Sequence, residues 1–431
     1  MSKRDGPVVS MPRVSIPADY TLIVEGDAAF RVLNGEVVTF GATLESGKEY
    51  KVDPFRAIPL YALRDSEVEV ESGKFSYVKG NTVPQSWEAA AERIGSLGAR
   101  RVMVVGGVDS GKTSFVTFLA NRLSQAGERV GIVDADLGQK SIGPPATIGL
   151  GVVASPLVSL GEAEFVDGFF VGSVTPSGLL HRHVVGVRLM VEVAETRMGV
   201  RRVVVDTTGW VSEQGGRELK LFKAMALEPD VVVVVSRGDE CLHIVNTLGR
   251  LFEVVQVEAP KAVRLRGRID RREYRKVMYR KFFEGAKEYE YDFSKGVLYS
   301  TVFTGSELPE DERRRVEELL GVRVVYAEKS GDHVAFFTER SVDEQAASLL
   351  KAIYGSRQVK LLTGFEFLHT LVGIRNREKY LKGVGIVTGV YPQRKALRVL
   401  STAAPSGDET LMLGLVKVNP VSFEEEAILE G

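Results

Sequence analysis

Residues 106–113 have the sequence GGVDSGKT, which fits the phosphate-binding loop pattern G-x-x-x-x-G-K-[ST]. A short apolar run at 101–105 predicts a buried strand before the loop, and apolar residues at helical spacing in 113–125 predict a helix after it. A strand, a glycine-rich loop and a helix in this order direct backbone N–H groups and a helix N-terminus at a polyphosphate. The stretch therefore predicts a nucleoside triphosphate site.

Two side chains of the loop have predicted roles of their own. Lys112 would contact the β- and γ-phosphates, and the hydroxyl of Thr113 would bind Mg²⁺. Other residues of the loop would surround the phosphates, and these are Gly106, Gly107, Val108, Asp109, Ser110, Gly111 and Ser114.

The composition excludes several classes of protein. Fifty-six basic and 57 acidic residues give a net charge of −1, so nucleic acid could be bound only through a local basic patch. A single cysteine, Cys241, excludes a disulfide framework or a thiolate metal site and predicts a reducing, cytoplasmic location. The apolar runs are too short to span a bilayer, so we expect no membrane association.

The order of apolar patterns predicts three domains. Residues 1–83 alternate short apolar runs with turn pairs and are predicted to be all-β, with a hairpin at Asn34-Gly35. Residues 84–295 alternate valine-rich strands with amphipathic helices, which is typical of a parallel sheet covered on both faces. Residues 296–431 carry one clear helix at 309–320 and then short strands. The predicted fold class is α/β, with a central P-loop domain between an all-β N-terminal domain and a β-rich α+β C-terminal domain.

Two predicted central strands end in carboxylates. One runs from Val130 into Asp134 and Asp136, and another runs from Arg202 into Asp206. Ligands of parallel sheets bind at the carboxyl ends of the strands, so these side chains should lie near the loop. Asp134 and Asp136 would share one face of a strand, so that one could hold Mg²⁺ and the other accept a proton from an attacking hydroxyl. A turn or helix cap is the alternative.

Trp210 follows Gly209 at the tip of the strand that carries Asp206. A lone tryptophan is usually core filling. A position just beyond a strand tip also suits a platform on which a base stacks, and both interpretations stay open.

Residues 261–281 contain ten basic residues and two acidic ones. Tyr274, Met278 and Phe282 add an apolar stripe at helical spacing, which disfavours an unstructured basic tail. We interpret the segment as a lid helix whose guanidinium groups contact transferring phosphates and an acidic substrate. A solvated basic helix face is the alternative.

Four elements, in this order, resemble the polynucleotide 5′-hydroxyl-kinase family. They are the loop at 106–114, Asp136-x-Gly138-Gln139 with Ser141 and Pro145-x-Thr147 after it, Thr207/Thr208-Gly209-Trp210, and the arginine-rich lid at 261–285. The resemblance covers nearly the whole chain. It implies transfer of the γ-phosphate of ATP, with Mg²⁺, to the 5′-hydroxyl end of RNA or DNA, in RNA processing or repair, with RNA-processing proteins as partners.

The resemblance also implies a role for each matching position. Asp136 would be the base, and Arg266 and Arg271 would join Lys112 in stabilising charge in the transition state. The acceptor would contact Gln139, Thr147, Thr208, Gly209, Trp210, Arg272 and Arg275. The metal would be held by Thr113, Asp134, Asp136 and Asp206. Two departures weaken the match, because Thr175–Leu179 reads TPSGL where relatives often have Thr-Pro-Gly-Thr-Asn, and the lid ends with Glu284 in place of an aromatic-rich sequence.

Two other classes of protein share some of these features. A regulatory GTPase or a metal-insertion chaperone has a similar loop, but Ser236–Asp239 reads SRGD and lacks the guanine-reading Asn-Lys-x-Asp. With five histidines and one cysteine, a metal-carrying role would have few ligands. An ATP-binding scaffold subunit without turnover is the second alternative, and the intact Lys112, Asp136 and Arg266 argue against it.

Overall fold

The computed structural model describes residues 12–71, 74–261, 267–294, 296–331, 333–355 and 358–428. Two predicted features lie outside the described residues: the lid residue Arg266, and Ser72-Gly73, which is one of the turn pairs predicted within residues 1–83. The chain divides into two compact units, Met1–Val166 with Leu180–Arg275, and Asp167–Leu179 with Lys276–Gly431. The boundaries of the three predicted domains stay a prediction.

The N-terminal region is an antiparallel β-structure with its own apolar core. Along its longest strand, alternate residues such as Ile58, Leu60 and Ala62 are buried, as a half-buried strand requires. The order in the sheet is β4-β3-β6-β2-β7, with β1 on β6 and β5 on β3. The strands are β1 (Arg13–Ile16), β2 (Tyr20–Glu25), β3 (Ala28–Thr39), β4 (Ala42–Thr43), β5 (Glu49–Val52), β6 (Ala57–Glu71) and β7 (Lys74–Lys79).

The hairpin predicted at Asn34-Gly35 is wrong, because β3 continues through both residues. The pairing of β3 with β6 shifts register there, with Asn34 opposite Glu67 and Glu36 opposite Arg64. Gly35 has φ +96° and lies so close to Ser66 that a Cβ would be 2.1 Å from its Oγ. The glycine that suggested a turn therefore serves a β-bulge.

The central sheet has the order β11-β10-β9-β12-β8-β13-β14, in which the last five strands are parallel and β10 is antiparallel to β9. Its inner strands are buried almost completely, which explains their continuous valine runs. The strands are β8 (Arg101–Gly106), β9 (Val130–Ala135), β10 (Thr147–Val153), β11 (Glu164–Phe170), β12 (Arg202–Thr207), β13 (Val231–Ser236) and β14 (Glu253–Glu258). The helices of this part are α1 (Gln85–Ser96), α2 (Lys112–Gln125), α3 (Leu180–Thr196), α4 (Glu213–Leu227), α5 (Leu242–Leu248) and α6 (Arg268–Phe282).

Three of these elements, β10, β11 and α3, are not evident from the sequence pattern. β10 contains Gly149 and Gly151, which normally weaken a strand. A Cβ at Gly149 would lie 2.0 Å from the carbonyl oxygen of Ile142, so the glycine permits a close approach of backbones. Helix α3 is rich in valine, a residue that favours strands, so its composition does not predict a helix.

The C-terminal region contains two sheets. One has the order β15-β23-β22-β21-β24-β16 with β25 on β24, and the other has the order β17-β18-β19-β20. The strands are β15 (Lys287–Asp292), β16 (Val297–Tyr299), β17 (Ser306–Glu307), β18 (Val324–Lys329), β19 (His333–Thr338), β20 (Gln358–Leu362), β21 (Thr370–Arg375), β22 (Gly383–Tyr391), β23 (Ala396–Ser401), β24 (Thr410–Val418) and β25 (Glu425–Ile428). The helices are α7 (Glu310–Leu320), which was predicted, and α8 (Glu344–Tyr354), which was not.

The predicted fold class is confirmed, since a largely parallel α/β sheet carries the glycine loop between β-rich regions in the chain. Within the described part of the chain, no helix combines the length and the apolarity that a membrane span needs.

Candidate active site

The phosphate-binding loop joins β8 to α2, as predicted. Gly111 is the N-cap of α2 with φ +93°, and a Cβ there would lie 2.7 Å from Pro260 Cδ, so only glycine fits. Lys112 is 6% exposed and its Nζ donates to the carbonyl oxygen of Gly107 at 2.6 Å. Burial lowers the pKa of the Lys112 ammonium, and Asp206 and Asp136 oppose that shift.

Thr113 and Asp206, both predicted to hold Mg²⁺, are hydrogen-bonded to each other. The Thr113 hydroxyl donates to Asp206 Oδ2 at 2.7 Å, and Asp206 is 2% exposed. Among the described residues, Asp206 Oδ1 has no hydrogen-bond partner. Burial, with a further contribution from Asp134, raises the pKa of the Asp206 carboxyl to about 7. A buried carboxylate oxygen without a donor, beside a hydroxyl, fits a magnesium ion with its water.

Asp134 holds the backbone that follows β9. Its Oδ2 accepts from the N–H groups of Ser141 at 2.7 Å and Ile142 at 3.0 Å, and its Oδ1 accepts from the Asp136 N–H at 3.0 Å. The buried ammonium of Lys140 lies 3.3 Å from the same carboxylate. Both carboxylate oxygens therefore hold the backbone of residues 136–142, which we call the Asp136–Ile142 loop. This geometry gives no support to the predicted metal role of Asp134.

Asp136 is the first residue of that loop and not part of the strand, because β9 ends at Ala135. The prediction that Asp134 and Asp136 share a strand face is wrong for this reason. Asp136 Oδ1 accepts from the N–H groups of Gly138 and Gln139, both at 3.0 Å. The carboxylate is half-buried and lines the same pocket as Lys112.

Three of the predicted acceptor-binding residues are held tightly within the protein. Thr147 is fully buried and its hydroxyl donates to the carbonyl oxygen of Pro144 at 2.6 Å, which leaves no surface for a substrate. Thr208 is 5% exposed and its Oγ1 accepts from Lys220 at 3.0 Å. A Cβ on Gly209 would lie 2.7 Å from Val108 Cα, so Gly209 brings its strand tip against the phosphate loop.

Trp210 is half-buried and lies against the first turn of α4. A Cβ on Gly215 would be 2.5 Å from the Trp210 ring, and the indole Nε1 donates to Glu213 Oε2 at 3.3 Å. The ring therefore has one packed side and remains partly accessible, and its contact with a base stays a prediction.

The predicted lid contains a helix, α6, and one of its arginines lies at the phosphate loop. Arg271 Nη2 is 3.8 Å from the carboxylate of Asp109, a residue of that loop. Arg272 is exposed and Arg275 is half-buried on the same helix. Arg266 lies outside the described residues, so the structure gives no position for it.

The two departures from the family pattern lie in the second compact unit. Thr175–Leu179 forms a turn in which the Leu179 N–H donates to the carbonyl oxygen of Pro176 at 3.0 Å. Glu284 lies in the turn after α6 and is exposed. Their effect on acceptor binding stays a prediction.

Two lysines of α4 were missed by the sequence analysis. Lys220 is 1% exposed and its Nζ donates to Thr207 Oγ1 at 3.2 Å and to the carbonyl oxygen of Thr208 at 2.5 Å. Lys223 is fully buried, and its Nζ has no hydrogen-bond partner among the described residues. Their burial could have been predicted from their position on the apolar stripe of α4, beside Leu219 and Leu227.

We expect Lys223→Met to stabilise the fold. Burial lowers the pKa of the Lys223 ammonium to about 7, from its ordinary value of 10.5. Between these values the unfolded chain holds a proton that the folded chain lacks, so the stability of the native protein rises with pH through this window. The methionine variant should gain on the order of 2–4 kcal/mol near neutral pH, and the gain should shrink towards about pH 10.

Urea unfolding of both proteins across this pH range measures the difference, with the exposed Lys79→Met as the control. A methionine variant that is less stable at every pH would mean that the buried ammonium is paired in solution.

A pocket joins the phosphate loop to the N-terminal sheet, both within the first compact unit. Its polar part contains Lys112, Thr113, Asp136 and Gln139. Its other wall comes from residues that carry no motif and that the sequence analysis missed, namely Ile23, Phe40, Arg56, Ala57, Pro59, Thr82, Val83 and Trp87. The pocket thus combines phosphate-binding groups, a carboxylate and an apolar wall of the kind that holds a base.

Comparison with known proteins identifies the family. Residues 106–285 match the family model described as the P-loop region of the mRNA cleavage and polyadenylation factor CLP1. The chain is 32% identical to the polyribonucleotide 5′-hydroxyl-kinase of Pyrococcus furiosus, over 78% of this chain and 91% of that protein. It is 26% identical to the polyribonucleotide 5′-hydroxyl-kinase Clp1 of Homo sapiens, over 63% of this chain and 68% of that protein.

A solved structure shares the fold. The wild-type Clp1p–Pcf11p complex contains a chain that superimposes with a TM-score of 0.66 at 14% identity, covering 95% of this chain and 99% of that chain. Fold, site and sequence similarity agree, and the chain belongs to the polyribonucleotide 5′-hydroxyl-kinase family.

Proposed function

We propose that this protein transfers the γ-phosphoryl group of ATP to the 5′-hydroxyl end of a polynucleotide, with RNA as the acceptor and DNA as a second acceptor to be tested beside it. The observation that carries the proposal is the single pocket that Asp136 and Gln139 line together with Lys112 and Thr113. A group that can accept a proton thus lies beside groups that hold phosphates, which is the arrangement that phosphoryl transfer to a hydroxyl requires.

The charge of the site supports a polyanionic ligand. Four lysines near the loop are at most 6% exposed, and only two of the neighbouring aspartates are comparably buried. Burial lowers the pKa of each of these ammonium groups, so keeping the groups protonated in the folded protein costs free energy. Bound phosphates would offset that cost. The four lysines are Lys112, Lys140, Lys220 and Lys223.

In the proposed reaction, the Asp136 carboxylate accepts the proton of the 5′-hydroxyl as its oxygen attacks the γ-phosphorus. The bond from that phosphorus to the β–γ bridging oxygen breaks, and ADP leaves. Lys112 would stabilise the charge that develops on the β- and γ-phosphates, and Arg271, whose Nη2 is 3.8 Å from the Asp109 carboxylate of the loop, would add a guanidinium.

A magnesium ion would be held by the Thr113 hydroxyl and, through water, by Asp206. When bound, it neutralises charge on the β- and γ-phosphates. Two observations support this assignment: Thr113 is hydrogen-bonded to Asp206, and Asp206 Oδ1 accepts no hydrogen bond from any residue that the structure describes. The carboxylate of Asp134, which is used by backbone N–H groups, would position the Asp136–Ile142 loop instead.

The apolar wall of the pocket would take the adenine base. Phe40, Pro59 and Val83 come from the N-terminal region and its connection to α1, and they face the start of α2. Any other nucleoside triphosphate would have to place its base against the same wall. Guanine is disfavoured, because Ser236–Asp239 lacks the Asn-Lys-x-Asp sequence that reads this base.

A direct assay tests the function. The purified protein is incubated with γ-labelled ATP, Mg²⁺ and oligonucleotides of RNA or DNA that carry a 5′-hydroxyl, and labelled 5′ ends are counted. Oligonucleotides with a 5′-phosphate are the matched control, because their 5′ oxygen is already esterified and no free hydroxyl is left to attack. Label on neither RNA nor DNA, with intact ATP binding, would instead favour an ATP-binding scaffold.

The lid arginines should separate by role. We expect Arg271→Ala to lower kcat far more than it weakens ATP binding, because a guanidinium beside the phosphate loop can stabilise charge that appears only in the transition state. Arg266→Ala is predicted to behave in the same way. Steady-state kinetics with ATP and oligonucleotide varied separately measure both effects.

Arg272→Ala and Arg275→Ala should show the opposite pattern. If these side chains hold the acceptor backbone, the acceptor KM rises and its salt dependence flattens by about one phosphate contact. Equal, small effects at all four arginines would mean that the cluster is only a solvated helix face.

Other parts of the sequence prediction remain proposals. A cytoplasmic location rests on the single cysteine. Association with RNA-processing proteins also stays a prediction, because the chain in the Clp1p–Pcf11p complex is 14% identical to this one and the likeness extends to the fold alone.

A further inference from the structure

Arg56 precedes β6 in the N-terminal region, yet its guanidinium lies among residues of the kinase site. Its Nη2 donates to Ser141 Oγ at 2.9 Å, to the Tyr274 hydroxyl at 3.2 Å and to the carbonyl oxygen of Gln139 at 3.3 Å. These acceptors are 85, 218 and 83 residues away along the chain. One guanidinium therefore connects the N-terminal region, the Asp136–Ile142 loop and helix α6.

Tyr274 completes this connection from the side of α6. It is 3% exposed, and its hydroxyl donates to the carbonyl oxygen of Lys140 in the Asp136–Ile142 loop. The Arg56 guanidinium lies 5.4 Å from the centre of the Tyr274 ring, and Phe55 contacts the ring edge-on at 6.4 Å. The phenol is thus fixed by two hydrogen bonds and by packing on its ring.

The position of Tyr274 on α6 links its contact with the Asp136–Ile142 loop to the position of Arg271. Tyr274 lies three residues after Arg271, which places both side chains on neighbouring positions of one helical turn. Fixing Tyr274 on the loop therefore fixes the turn that holds Arg271 beside Asp109. The same contacts fix the loop that presents Asp136 and Gln139.

We propose that Arg56 and Tyr274 are a pair of positioning residues that hold the lid helix against the Asp136–Ile142 loop, so that the arginine and the carboxylate of the reaction are aligned together. The inference rests on the proposed kinase function for its catalytic consequence. Its structural content, the attachment of α6 to the loop, can be measured without turnover.

Four variants test the pair. Tyr274→Phe keeps the ring and removes the hydroxyl that bonds to Lys140 and Arg56, whereas Arg56→Met removes the guanidinium and keeps much of its length. The third variant combines Tyr274→Phe with Arg56→Met. The fourth, Arg56→Lys, keeps a positive charge and a hydrogen-bond donor at position 56. The controls are Tyr77→Phe, which removes an exposed hydroxyl from β7, and Arg64→Met, which removes an exposed guanidinium from β6.

We expect each single variant to lower kcat about tenfold while the equilibrium affinity for a non-hydrolysable ATP analogue changes less than about threefold. The double variant should fall little further than either single variant, because both changes break one attachment. Arg56→Lys should recover part of kcat, and the two controls should match the parent protein.

Hydrogen exchange supplies the measurement that does not need activity. Amides of α6 and of the Asp136–Ile142 loop should exchange faster in Tyr274→Phe and Arg56→Met, and those of β13 should not change. Unchanged exchange in α6 and the loop would overturn the proposal even if the protein proves to be a kinase. A parent protein without kinase activity but with the expected exchange changes would contradict only the proposed function.

Two kinetic outcomes would also overturn it. Additive losses in the double variant would mean that Arg56 and Tyr274 act separately. A large loss of analogue affinity in Arg56→Met at unchanged kcat would mean that Arg56 is a nucleotide ligand, since it also lines the pocket.

Discussion

Lys112→Ala is expected to abolish phosphoryl transfer while the protein remains folded. The ammonium lies at the start of α2, where the helix N-terminus and the loop backbone converge, and it is the lysine that the phosphate-loop pattern directs at the β- and γ-phosphates. Its removal should lower kcat/KM by at least about 10³-fold, the scale expected for a charge that stabilises the transition state in a water-poor site.

The fold should survive because Lys112 contributes little to it. Its Nζ contacts one carbonyl oxygen, that of Gly107, and burial already lowers the pKa of the ammonium. Lys112→Met, which keeps the buried methylenes, separates loss of charge from loss of packing. The exposed Lys79→Ala controls for lysine removal in general.

Initial rates and thermal unfolding are measured on all three variants. Near-normal turnover in Lys112→Ala or Lys112→Met would show that the reacting phosphates bind elsewhere. A loss of activity that follows a fall in unfolding temperature would point to damage of the fold instead.

The parts of the site that the sequence predicted are local in the chain. The loop at 106–113, the carboxylate of Asp206 and the helix of the lid each follow from a few consecutive residues. The loop and Asp206 lie at the carboxyl ends of two neighbouring parallel strands, β8 and β12. The geometry of such a motif can be predicted from the motif itself, because residues adjacent in sequence determine the glycine conformations and the start of the helix.

The parts that the sequence did not predict depend on contacts between distant residues. Arg56 is 218 residues from Tyr274 and belongs to no motif, so nothing in the sequence places its guanidinium in the site. The wall of the pocket that holds Phe40 and Pro59 is unpredictable for the same reason.

Asp134 and Asp136 illustrate a subtler limit. Their spacing suggested one face of a strand, yet the strand ends between them, where the Asp136 N–H donates to the Asp134 carboxylate. Side-chain competition for backbone groups is decided by the folded environment, which a spacing rule does not contain.

That difference in geometry makes Asp136 the position where a conservative change is most informative. Asp136 Oδ1 caps the N–H groups of Gly138 and Gln139. The side-chain oxygen of asparagine can accept the same two hydrogen bonds, so Asp136→Asn should keep the Asp136–Ile142 loop in place. What it removes is the charge and the basicity of the carboxylate.

We therefore expect Asp136→Asn to bind ATP normally and to lose kcat by a factor on the order of 10² to 10⁴, the range for a positioned general base. Asp239→Asn, a change of an exposed aspartate after β13, is the matched control. Equilibrium binding of an ATP analogue and kcat at saturating acceptor separate the two properties. If affinity for the analogue collapsed while kcat held, Asp136 would be a ground-state ligand of the nucleotide or its metal, and the proton of the 5′-hydroxyl would need another acceptor.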